Sequence, residues 1–191
     1  MSRILVLGGV RSGKSELAEQ LVAHREGVRY IAPGPVPDEH DTEWAARVAA
    51  HRLRRPASWT THETGDVAGV LRQGSTPALV DCLGTWLTRV VDDAHAWDDL
   101  AGAARVLAEA RADLVAALGE TDASVVLVSN EVGLGVVPSS ASGRFFRDEL
   151  GRTNRAVADA CDEVLLVVAG RVLDLTACPS IEAAARARAL T

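Results

Sequence analysis

Lysine is almost missing from this 191-residue chain: of its 20 Lys and Arg residues, Lys14 is the only lysine. A basic excess is also missing. The formal charge is −6 and the sequence pI about 5.4. That balance excludes a general nucleic-acid binder, which needs a basic face to neutralise phosphates. Cysteine is scarce: Cys82, Cys161 and Cys178 are odd in number and far apart, so neither a disulfide framework nor a zinc site is expected. They read as small buried hydrophobes in a reducing, cytoplasmic compartment. No apolar run approaches the ~20 residues that cross a bilayer, so no membrane insertion is expected. Nor does the start resemble a signal peptide, since Ile4 to Leu7 is a short apolar run followed at once by glycines. The length suits a single domain over residues 1–191, large enough to bury a core without staples.

Short β-branched runs alternate with longer helical patterns, the signature of a mostly parallel central sheet flanked by helices. Strands are expected at 3–7, 28–32, 78–82, 125–129 and 164–168, with a hairpin strand at 172–175. Helices are expected near 14–25, 41–54, 84–93, 98–118 and 142–161, the last capped by Ser142, with a short one starting near Ser180. Residues 33–38 (PGPVPD) read as a loop. Within the 142–161 helix, Arg144, Asp148, Gly151 and Arg155 share a face that reads either as a substrate or subunit contact or as a solvated charged face.

The strongest motif is Gly8-Gly9-Val10-Arg11-Ser12-Gly13-Lys14-Ser15, which fits G-x-x-x-x-G-K-S/T between an apolar strand and an amphipathic helix. Its glycines let backbone N–H groups curl around phosphate oxygens at a helix N-terminus. Lys14 would reach the β- and γ-phosphates, and Ser15 would offer its hydroxyl to Mg²⁺. In a chain otherwise drifted to arginine, a lone lysine here strengthens the reading, because the two side chains are not interchangeable at such a site. Asp81 ends the 78–82 strand and suits the acid that holds Mg²⁺, or else an ordinary strand-end cap. Together these features predict an α/β, P-loop NTPase-like fold with ligands at the carboxyl ends of the strands.

A P-loop does not name a reaction. The N-K-x-D guanine reader is excluded, since the one lysine is already used. Arg47, Arg52, Arg54 and Arg55 crowd around His51, an anion field that would keep the imidazole neutral and nucleophilic toward phosphorus. Alternatively His51 packs on the Trp44/Val48 face and the arginines are solvated. His24, His40, His62 and His95 have no comparable setting. On residues alone, a P-loop enzyme that uses His51 as a nucleophile, a small-molecule kinase in which His51 is not used covalently, and a non-catalytic nucleotide-binding regulator all remain open.

Longer stretches are more specific: LVLGGVRSGKS at 5–15, RVAAHRLRRPASWTTHE at 47–63, VDCLGTWLTRVV at 80–91, LVSNEVGLGVVP at 127–138 and RFFRDELGRTNRAVADACDEVLLVVAG at 144–170. In these the chain resembles the bifunctional adenosylcobinamide kinase/adenosylcobinamide-phosphate guanylyltransferase family of cobalamin biosynthesis. The resemblance implies phosphorylation of adenosylcobinamide by ATP or GTP. It then implies transfer of GMP from GTP, through a GMP–histidine at His51, to the phosphorylated corrinoid. It places nucleotide contacts at Gly8 to Ser15, at Ala32, Pro33 and Gly34, at Arg52, Leu53, Arg54 and Arg55, and at Glu63 and Asp81. Mg²⁺ would be held by Ser15 and Asp81, and catalysis would rest on His51 and Lys14. Glu63 is expected to accept from the guanine N1–H and N2–H₂ edge. The resemblance also implies a homotrimer with sites near subunit contacts.

Overall fold

The computed structural model describes residues 1–35 and 42–188; the side chains of Glu43, Trp44, Arg47 and His51 lie outside that description. Val36, Pro37 and His40 are therefore also outside it. In chain order the elements are β1 (Arg3–Gly8), α1 (Lys14–Val22), β2 (Arg29–Ile31), α2 (Thr42–Arg54), β3 (Thr60–His62), α3 (Val67–Arg72) and β4 (Ala78–Asp81). They continue with α4 (Leu83–Asp93), α5 (Leu100–Glu120), β5 (Val125–Asn130), α6 (Ala141–Asp159), β6 (Glu163–Val168), β7 (Arg171–Asp174) and α7 (Ile181–Ala187).

The strands form one sheet in the order β3-β2-β4-β5-β1-β6-β7, parallel except for the β6–β7 hairpin. β1 lies between β5 and β6, with Gly8 paired to Asn130 on one side and Val167 on the other. Alternation along each strand fills two cores, as a period of two requires. Leu5, Leu7, Ile31, Val80, Val125 and Leu127 face one core, with Leu83, Leu87, Leu107, Leu114 and Leu118 from the helices α4 and α5. Val6, Tyr30, Leu79, Val126 and Val128 face the other, with Ala18 and Val22 of α1 and Trp59. Because β1 to β5 are mutually parallel where they pair, their carboxyl ends at Gly8, Ile31, His62, Asp81 and Asn130 share one edge.

Three features depart from the sequence expectation. β3 and α3 were not anticipated: three and six residues are too few to show a period. The α6 cap is Ser140 rather than Ser142, its hydroxyl accepting from the Gly143 N–H at 3.0 Å. The cysteines are free, but Cys178 is exposed rather than buried. Burial does push the Cys82 thiol up, and the Cys161 thiol to about 12, so both stay protonated.

The charged face of α6 is put to structural use. Arg144 donates to the carbonyls of Pro138 and Ser139 at 3.1 and 2.6 Å, and Arg155 pairs with Glu182 of α7 at 2.8 Å. A side chain at Gly151 would meet nothing within 4 Å.

Arg29 fixes the base of β2. It is buried, and its guanidinium donates to the carbonyl of Val70 within α3 and to those of Gly74 (2.8 Å) and Thr76 (2.8 Å) beyond it. Replacing it with methionine keeps the bulk but strands those acceptors, at a cost of about 3 kcal/mol. The urea midpoint of Arg29→Met should fall accordingly at an unchanged slope.

Candidate active site

The phosphate loop is shaped by close packing against the last hairpin. A methyl on Gly8 would sit 2.5 Å from Ser12 Oγ and 2.6 Å from the Val167 carbonyl oxygen. Gly13 has φ of 100°, a left-handed conformation that favours glycine. The Gly170 N–H donates to the Ser12 carbonyl at 3.0 Å, so the β6–β7 turn braces the loop from behind. The buried hydroxyl of Ser12 has no hydrogen-bond partner among the described residues, and Lys14 Nζ donates to the Gly9 carbonyl at 3.2 Å.

Ser15 opens α1, which passes over β5 and brings its hydroxyl within 3.4 Å of Asp81 Oδ1. The other oxygen of Asp81 accepts from the Tyr30 hydroxyl at 3.1 Å. Burial, and next the Asp81 carboxylate, hold the Tyr30 phenol well above its usual range, so it remains a donor. The Tyr30 ring does two more things. It stacks on Trp59, with centroids 6.5 Å apart, and it carries the Arg55 guanidinium 3.2 Å above its centre. Arg55 also donates to Thr61 Oγ1 at 3.4 Å. Through these contacts the segment just after α2 is tied to β2, β3 and Asp81.

A cavity of about 230 Å³ opens at this edge of the sheet. Of the expected site residues, Lys14, Ser15, Ala32, Gly34, Arg52, Arg55, Glu63 and Asp81 line it together. Gly8, Gly9, Val10, Arg11, Ser12 and Gly13 form the adjoining loop, and Pro33 is buried beneath. Leu53 does not join them: it is 87% exposed. Arg54 turns to Glu19, donating to both carboxylate oxygens at 2.9 and 3.1 Å. Arg52 pairs with Glu63. Of the arginines expected around His51, Arg52 and Arg54 are thus paired with carboxylates and Arg52 and Arg55 line the cavity, while the Arg47 side chain lies outside the described residues. The His51 side chain lies outside the described residues; its backbone belongs to α2, one turn before Arg55.

The sequence did not disclose Tyr30, Val48, Cys82, Gly84, Thr85, Thr88 and Phe146 as cavity residues. Asn130 also lines it; the sequence places the turn that it opens, after the strand at 125–129, at the edge where ligands are expected. A hydroxyl beside a carboxylate is a hard oxygen pair that fits Mg²⁺, which takes few protein ligands and completes its shell with phosphates and water. No cluster of three or more His, Cys, Asp or Glu residues able to hold a metal occurs among the described residues.

Comparison with known proteins points the same way. The profile described as cobinamide kinase / cobinamide phosphate guanyltransferase matches residues 4–175. The chain is 41% identical to the bifunctional adenosylcobalamin biosynthesis protein CobP of Pseudomonas aeruginosa over 180 residues, covering 91% of this chain and 96% of that protein. It is 40% identical to the corresponding CobU of Salmonella typhimurium over 182 residues, covering 87% and 96%. Among solved structures, a type III secretion ATPase of pathogenic bacteria superposes with a TM-score of 0.52 at 16% identity, covering 86% of this chain and 50% of that one. The EscN ATPase of enteropathogenic E. coli gives 0.51 at 13% identity, covering 88% and 43%. These last two establish the shared P-loop NTPase fold alone.

Two outcomes follow from the geometry. Gly8→Ala should raise the nucleotide Kd at least about tenfold, whereas Gly9→Ala, whose methyl meets nothing within 4 Å, should be the milder change. Tyr30 is neutral in the folded state with a raised pKa, so its stabilisation is full below the unfolded value near 10 and is lost as pH rises. The stability advantage of the native chain over Tyr30→Phe should therefore shrink above about pH 10 in urea titrations.

Proposed function

This chain belongs to the cobinamide kinase / cobinamide phosphate guanyltransferase family, and we propose that its one domain carries both reactions at the cavity just described. The observation that carries the reading is the junction itself. Lys14, Ser15 and Asp81 line one cavity together with Arg52, Arg55 and Glu63, and Arg52 directly follows His51 in α2.

In the kinase step the triphosphate of ATP or GTP lies in the loop from Gly8 to Ser15, with Lys14 against the β- and γ-phosphates. The acceptor hydroxyl of adenosylcobinamide forms a bond to the γ-phosphorus. The bond from that phosphorus to the β–γ bridging oxygen breaks, the nucleoside diphosphate leaves, and the alcohol proton passes to water. Mg²⁺, when bound at Ser15 and Asp81, neutralises charge developing on the phosphates. Tyr30 holds one Asp81 oxygen by its hydrogen bond and leaves the other turned to Ser15.

In the transfer step a neutral His51 nitrogen forms a bond to the α-phosphorus of GTP, and pyrophosphate leaves as the α–β bridging bond breaks. A phosphate oxygen of adenosylcobinamide phosphate then forms the new P–O bond as the P–N bond breaks, giving adenosylcobinamide-GDP and free His51. Dividing the displacement through a covalent intermediate replaces one high barrier by two lower ones. Arg52 and Arg55 stabilise the phosphates that depart, and Glu63 accepts from guanine once Arg52 turns to phosphate.

The reading extends to a cytoplasmic homotrimer. Val168, Val172 and Leu173, exposed on the terminal hairpin, offer apolar surface for such an assembly, and sedimentation velocity reads it directly.

Incubation with GTP labelled at the α-phosphate, followed by denaturation, tests the transfer step. An acid-labile, base-stable label should form and be absent in His51→Ala. An unlabelled native chain that still phosphorylates cobinamide would leave only a kinase. Lys14→Ala should lower both reactions at least ~100-fold, since both use the same cradle.

A further inference from the structure

The cavity has a further wall outside the expected nucleotide contacts, made by Cys82 just before α4, by Gly84, Thr85 and Thr88 on α4, by Asn130 at the end of β5, and by Phe146 on α6. It carries no charged side chain. We propose that this wall is the acceptor subsite, where the hydroxyl-bearing arm of the corrinoid alcohol enters while the macrocycle, too large for the cavity, stays outside. The inference rests on the kinase reading above and assigns residues to a substrate which that reading leaves unplaced.

Three observations carry it. First, the wall presents hydrogen-bond acceptors. Thr85 Oγ1 donates its proton to the Cys82 carbonyl at 2.9 Å, and Thr88 Oγ1 donates to the Gly84 carbonyl at 3.2 Å. With its proton spent on the helix, the Thr88 hydroxyl has lone pairs left to offer. Lone pairs suit an alcohol O–H or an amide N–H and oppose a phosphate. Second, packing does not demand glycine at position 84. A methyl there would rest in ordinary contact with Cys82 Sγ and Phe146 Cζ at 3.7 Å and with Leu150 Cδ2 at 3.8 Å. Glycine weakens a helix, so the absent side chain leaves cavity space rather than relieving a clash. Third, the wall is held rigidly. Asn154 Nδ2 donates to the Asn130 carbonyl at 3.0 Å, and Asn154 Oδ1 accepts from the buried Ser129 hydroxyl at 2.6 Å. This network fixes α6 against the end of β5, one strand from Asp81.

Cys82 follows Asp81 in the chain, and Asp81 accepts from Ser15 at 3.4 Å, so an alcohol held on this wall lies beside the phosphate-binding residues of the same cavity.

Equilibrium dialysis with dicyanocobinamide, read by its visible absorbance, tests the assignment on the intact protein. Thr88→Val, which keeps shape and removes the lone pairs, should weaken its binding about tenfold. Gly84→Ala should weaken it several-fold while leaving the melting temperature equal or higher, an outcome that a merely structural role would not give. The GTP Kd of both variants should move less than ~2-fold. Corrinoid binding unchanged in both variants, or an equal loss for GTP, overturns the subsite while the native chain still binds both ligands. A native chain that binds GTP but no cobinamide overturns the kinase reading and this inference with it.

Discussion

β5 lies between β1 and β4, and the site is built around that spacing. Adjacent strands stand about 4.8 Å apart, so the phosphate loop after β1 and the acid at the end of β4 begin two strands from one another. α1 closes the gap by passing over β5, which brings Ser15 within 3.4 Å of Asp81. β5 itself then ends between them at Asn130, with its carbonyl fixed by Asn154. Cradle, acid and the intervening amide therefore occupy one edge because parallel pairing leaves them nowhere else to go.

The arginines show how chemistry and architecture divide a single residue type. Most of the described ones pair with carboxylates or carbonyls: Arg72 with Asp113 and Glu120, Arg111 and Arg152 with the buried Glu149, Arg29 with three carbonyls in and after α3. A planar guanidinium with several fixed donors serves such pairings better than an ammonium does. What the phosphate loop needs is a compact charge on a flexible stem, and there the chain keeps its lysine. Arg52 and Arg55 stand between these uses, since each has a structural partner and each lines the cavity.

How legible all this was depended on whether a role is local. The phosphate loop was readable because its glycines, lysine and serine are contiguous and their spacing is the geometry. Asp81 was readable from its place at a strand end. Tyr30 was not: in sequence it is one aromatic in a three-residue strand, and its partners Asp81, Arg55 and Trp59 meet it only through the β2–β4 and β2–β3 pairings. β3 escaped because an edge strand of three mostly exposed residues has no hydrophobic alternation. Thr88 and Phe146 escaped for a different reason. Each sits on a helix whose apolar face the core already explains, and only the packing of α6 on α4 turns them toward a shared space. Leu53 and Arg54, expected as nucleotide contacts from the family resemblance, do not line the cavity that Arg52 and Arg55 line, because a helix turns successive side chains about 100° apart.

The bracing of the phosphate loop by the terminal hairpin has a consequence for synthesis. β1 emerges from the ribosome first, yet it is the strand flanked by β5 and β6, made from Val125 and Glu163 onward. The carbonyl of Val167 and the N–H of Gly170 that shape the loop come later still. Long-range parallel pairing of this kind is slow to close. The order of translation thus withholds the finished phosphate loop from a nascent chain until the β6–β7 turn at Gly170 has been made.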